Sequence, residues 1–86
     1  MTIIVANYVP EHLRPGLARY LEEGIRPGSF LSAVLENDLL GAVMYADDVS
    51  RAAIPNVVRY LANHAPASAW GSPMAVSQWI KEMRKK

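Results

Sequence analysis

The chain has 86 residues, of which 51% are apolar and 20% charged, with a formal net charge of +1. That length holds a single domain, 1–86, and that composition excludes a disordered chain. The absence of cysteine excludes a disulfide framework, and no run approaches the roughly 20 apolar residues of a membrane span.

A domain this small buries a modest share of its surface. With neither disulfides nor a His/Cys cluster for a structural metal, the expected remedy is association into a homo-oligomer. The start, Met1-Thr2-Ile3-Ile4-Val5, has no basic n-region and reads poorly as a signal peptide, which makes the cytoplasm the expected location. The charge is uneven. Residues 1–80 carry five Arg against seven Asp and Glu, whereas Lys81-Glu82-Met83-Arg84-Lys85-Lys86 adds four basic groups and one acidic group. A basic C-terminal helix end complements the helix dipole. No broader basic stripe with interleaved aromatics accompanies it, so nucleic acid is not an expected partner.

In chain order, β-branched residues 2–6 suggest a short extended arm, which as a lone strand would have to pair with another subunit. Val9-Pro10-Glu11 resembles a helix entrance, and Leu13, Leu17, Tyr20 and Leu21 recur at helical spacing up to Gly24, the C-terminal stop. Pro15-Gly16 means either a start near Arg14 or a bent first turn. The second helix is expected from Ser29, as N-cap, to Ala46, apolar on nearly every side except for Asn37-Asp38 at its middle. Asp47-Asp48 ends it and caps the next unit. Pro55 then divides that unit into a short turn over 49–53 and a helix from Pro55 to Asn63. Residues 65–71 form a loop, and Ser72-Pro73 starts the last helix, with Val76, Trp79, Ile80 and Met83 as its apolar stripe. The expected fold is all-α: a compact bundle or orthogonal array of about four helices with a short extended N-terminal arm.

Catalytic signatures are missing. His12 and His64 stand in no H-x-x-x-H or H-E-x-x-H spacing, the carboxylates Glu36, Asp38, Asp47 and Asp48 lack a histidine to complete a metal set, and no serine sits in a nucleophile elbow. A non-enzymatic protein without metal, cofactor or catalytic residues is expected.

Binding candidates are clearer. A Pro27-Gly28-Ser29 helix start exposes unpaired N–H groups, Gly28 permits close approach, and Arg26 can reach a phosphate bidentately; ordinary capping by Ser29 is the competing reading. Asn37 and Asp38 inside an apolar helix need partners. They are either a buried tie, with Asp38 to Arg59 or Arg19 and Asn37 to a loop backbone, or the polar lining of a pocket. Arg59 and the Trp70-Gly71-Ser72 helix start could hold phosphate and stack a base. Trp70 and Trp79 read first as core or interface anchors, and Met44, Met74 and Met83 as packing residues.

The pattern Tyr20-Leu21-Glu22-x-Gly24-Ile25-x-Pro27-Gly28-Ser29-Phe30-Leu31-x-Ala33-Val34-Leu35-x-Asn37-Asp38-Leu39, followed by Ala46-Asp47, Arg59-Tyr60-Leu61 and Trp70-Gly71-Ser72, resembles a group of small helical proteins encoded by phages and prophages. The resemblance covers about residues 8 to 80 and implies an accessory protein that acts by binding in the host cell. The expected function is therefore a self-associating protein that holds a small anionic ligand, such as a nucleotide signal of host immunity, and so counters defence. The alternative is a module that inhibits a host protein through an apolar helix face. Arg26, Gly28, Ser29, Asn37, Asp38, Arg59 and Trp70 are the expected ligand-binding residues.

Overall fold

The structure is a computed structural model, and it describes residues 5–85. Five α-helices and two short 3-10 turns make up the described residues, with no strand among them. Most of the extended arm expected over residues 2–6 lies outside the described residues. Val5, at its end, is buried in the core.

A 3-10 turn at Glu11–Leu13 leads into α1, Arg14–Glu23, which settles the Pro15-Gly16 question in favour of a start at Arg14. Pro15 occupies the first turn, where its missing N–H leaves no bond unmade. Arg14 bends back to hold the preceding segment, its Nε donating to the Val9 carbonyl at 2.8 Å and Nη2 to that of Asn7 at 2.9 Å. Gly24 ends α1 in the left-handed conformation, φ 69°, with its N–H on the Tyr20 carbonyl at 2.9 Å. Any side chain there would meet the last helix: a Cβ on Gly24 would lie 2.5 Å from the Met83 Cβ.

The expected second helix is two helices. α2 spans Ser29–Leu35 and α3 spans Leu39–Tyr45. Asn37 stands between them at φ 62°, the only described non-glycine residue in the left-handed region. Its N–H bonds the Val34 carbonyl at 3.1 Å, and the Asp38 N–H bonds the Ala33 carbonyl at 2.8 Å. Those two bonds are the Schellman closure of a helix C-terminus, at a position where asparagine is the usual substitute for glycine. Asp38 then opens α3, its Oδ1 accepting from the Gly41 N–H at 3.0 Å. The polar pair is thus an exposed stop followed by a start, and no buried tie to Arg59 or Arg19 forms. Ser29 is not a cap either. Gly28 occupies that position without a side-chain bond, and it is Ser32 whose Oγ donates back to the Pro27 carbonyl at 3.0 Å.

α4, Asp48–His64, is continuous, contrary to a division at Pro55. Asp47 caps it through the Ser50 N–H at 2.7 Å. Pro55 costs one backbone bond, to the carbonyl of Arg51; both residues are exposed, so water can take that acceptor. Ala53, Val57, Tyr60 and Leu61 are buried on both sides of the proline, and this packing keeps the two halves in one line. Arg51 also closes the preceding corner, its Nη2 donating to the Ala46 carbonyl at 3.0 Å. The loop after α4 contains a 3-10 turn, Ala67–Ala69. α5, Pro73–Arg84, begins as the sequence indicates, with Ser72 Oγ accepting from the Ala75 N–H at 3.1 Å.

The core gathers Val9 from the segment before the first turn with Leu17, Tyr20, Leu35, Leu61 and Val76 from α1, α2, α4 and α5. Tyr20 is its hub. The buried phenol donates to the Ala69 carbonyl at 2.6 Å, and the Tyr20 backbone carbonyl accepts from the Trp79 indole Nε1 at 2.9 Å. α1, the loop and α5 are thereby fastened at one residue.

Candidate functional site, a basic cleft beside the α1–α2 connection

Because Gly24 stops α1 and Pro27 keeps the following residues extended, the chain reverses over Ile25–Gly28 and leaves a concavity against α1. The cleft has a volume of about 400 Å3, within the range of small-molecule sites. His12, Gly16 and Arg19 line it from the α1 side, and Arg26, Gly28, Ser29 and Phe30 from the other. No carboxylate lines it. Arg26 Nη1 pairs with Glu36 Oε2 at 3.1 Å across the start of α2, half-exposed. That pairing orients the guanidinium and leaves other N–H donors free. Arg19, exposed one turn before the end of α1, makes no ion pair with a described residue.

Arg26 belongs to a second concavity as well. An open groove of about 560 Å3 runs along α5, lined by Arg26, Ser77, Ile80, Lys81, Arg84 and Lys85. The groove and the cleft meet at Arg26, so Arg19, Lys81, Arg84 and Lys85 lie on either side of it. The basic C-terminal charges that read in sequence as a solvated helix end therefore face the same connection as the cleft.

Of the expected ligand residues, Arg26, Gly28 and Ser29 come together here. The others do not. Asn37 and Asp38 border a separate apolar dimple between α2, α3 and α4. Arg59 stacks over the Tyr8 ring, 4.8 Å from its centroid, and Trp70 packs half-buried against the core and lines neither concavity. Phe30 is the aromatic at the cleft wall. With only seven residues, α2 offers little dipole, so any anion held here depends on the arginines more than on the helix start. His12 and Arg19 are not among the ligand-binding residues that the sequence suggests. The one available signal was their spacing of seven residues, which returns to the same side of a helical segment.

The chain matches no protein-family model, no curated protein and no solved structure. Among the described residues no group of three or more His, Cys, Asp or Glu could hold a metal ion, and no helix is long and apolar enough to cross a membrane. One trio has the residue types of a hydrolase: His12 Nε2 lies 3.1 Å from Ser50 Oγ, and Asp47 lies beside Ser50. Its wiring differs. Asp47 accepts from the Ser50 N–H instead of orienting the imidazole, and Ser50 is buried, whereas the triad needs a carboxylate on the histidine and an accessible hydroxyl. Those same bonds hold the Asp47 carboxyl below its ordinary pKa.

Proposed function

We propose that this protein is a non-enzymatic binder of a small ligand carrying more than one anionic group, and that it holds the ligand across Arg26. One observation carries the reading: Arg26 is shared by a cleft with a second arginine and no carboxylate, and by a groove with three further cations. A guanidinium suits a phosphate because its planar fork presents two parallel donors. Two concavities meeting at one such fork suit a ligand whose phosphates are separated, such as a dinucleotide or a nucleoside polyphosphate. Phe30 and Ile25 offer apolar contact for the remainder, with Gly28 leaving the backbone open to approach.

The reading extends to the setting that the phage-type motif implies. A small protein that captures a nucleotide signal of host immunity removes it by occupancy and needs no chemistry. Capture without turnover is supported by the lining, which offers no carboxylate base and a His12 imidazole already engaged with Ser50.

Isothermal titration of the full chain against cyclic and linear dinucleotides, nucleoside triphosphates and inorganic phosphate tests this. Binding of one nucleotide class is expected, weakened at least tenfold by Arg26→Ala and by Arg19→Ala, with phosphate alone much weaker. No heat from any nucleotide, or binding untouched by both substitutions, would overturn it.

A further inference from the structure

A second surface, which shares no lining residue with the basic cleft, has the opposite character. α3 reads Leu39-Leu40-Gly41-Ala42-Val43-Met44-Tyr45 and contains no charge. Its small residues are turned inward: Ala42 is buried, and a Cβ on Gly41 would lie 3.3 Å from that of Ala33 and against the Asp38 carboxylate. Its large residues are turned outward. Leu39 is 70% exposed, Leu40 73%, Met44 71% and Tyr45 64%, with Val43 more than a third exposed. Leu39, Leu40, Val43 and Met44 share one side of the helix by their spacing. Val49, in the first turn of α4, is 61% exposed, and Val58 shares the lining of the dimple with Leu39.

We infer that a second copy of this chain docks here, face to face about a two-fold axis. The area fits. Seven large residues, taken at a whole-residue surface on the order of 200 Å2, leave roughly 800 Å2 uncovered, most of it apolar. That is what each partner of a standard interface buries, and it exceeds the roughly 300–600 Å2 of the largest patch on an ordinary monomer.

The shape selects a copy over a foreign protein. A two-fold interface must be complementary to itself, with projections and a recess on one patch. Leu40 and Met44 are the most exposed projections. The recess is the dimple of about 50 Å3 walled by Val34, Leu39, Ile54 and Val58, with Asn37 and Asp38 at its edge. Residues 39–46 carry no charge, so the centre of the patch does not repel its duplicate. This inference is independent of the proposed anion site, which lies on α1, the α1–α2 connection and α5.

Sedimentation velocity of the full chain at micromolar concentration decides it. The expected species has twice the 9.5 kDa chain mass, and Leu40→Asp should raise the dissociation constant at least a hundredfold while leaving the helical circular dichroism intact. A wild-type monomer, an assembly of any other size, or a dimer indifferent to Leu40→Asp overturns the inference. So does a wild-type monomer that holds a foreign protein through Leu40. Should Leu40→Asp fail to fold, wild-type Met44 answers: its oxidation by peroxide should slow severalfold from submicromolar to high micromolar concentration. Equal rates at both would overturn the proposal.

Discussion

Replacing Tyr20 by phenylalanine removes one oxygen from the centre of the molecule. The phenol is fully buried and donates to the Ala69 carbonyl at 2.6 Å. Tyr20→Phe keeps the ring packing and leaves that carbonyl without its partner. A net hydrogen bond is worth about 0.5–1.5 kcal/mol, and an unsatisfied buried acceptor costs about 1–3 kcal/mol, so a loss of about 2 kcal/mol is expected. In a domain of this size that lowers Tm by about 8–16 °C. Alkaline pH supplies a second test. Burial pushes the Tyr20 pKa up to about 12, with nearby Arg26 pulling it down and Glu36 adding to the rise. Because the folded pKa lies above the ordinary value of about 10, the neutral phenol is favoured in the native state. This contribution is complete below pH 10 and is lost as pH climbs towards 12. The full linkage is on the order of 2–3 kcal/mol. The advantage of wild type over Tyr20→Phe should therefore shrink between pH 10 and pH 12 in urea titrations. A variant within about 0.5 kcal/mol of wild type at pH 7, or a difference that stays constant up to pH 12, would refute this account of the core.

The break between α2 and α3 and the cap of α4 are testable in the same way. Asn37 at φ 62° is tolerated at some cost, so Asn37→Gly should be neutral or stabilise by a few tenths of a kcal/mol, whereas Asn37→Val should cost roughly 1–2 kcal/mol; chemical denaturation distinguishes them, and equal stabilities would show that the left-handed turn is wrong. Asp47, held ionised mainly by the Ser50 N–H and hydroxyl, contributes stability that is present above the ordinary carboxyl range and is lost as pH falls through its lowered folded pKa. Asp47→Asn should flatten the acid limb of a stability–pH profile, and an unchanged limb would mean that other carboxylates govern it.

Residues whose role is settled by near neighbours were legible in the sequence. Ser72-Pro73 starts α5, Asp47 caps α4 and Gly24 stops α1, because a cap or a left-handed stop is satisfied within three or four residues. The apolar excess of residues 30–46 was legible too, and it led to an expectation of surface needing cover. The structure moves that surface to α3 alone, because the Asn37 stop and the Asp38 cap, themselves local signals, break the continuous helical periodicity of residues 29–46. Pro55 misled in the other direction. Its rule is local, but the buried side chains on both sides of it carry α4 through.

What the sequence determined by itself was the all-α class and most helix ends, since both follow from periodicity and from hydrogen bonds closed within a turn. Tertiary structure decided which distant groups meet. Arg26 shares one cleft with Arg19 and one groove with Lys81, Arg84 and Lys85, while Asp38, Arg59 and Trp70 go elsewhere. Those meetings depend on how the helices pack around Tyr20, and side-chain packing across dozens of residues leaves no periodic trace in the order of the chain.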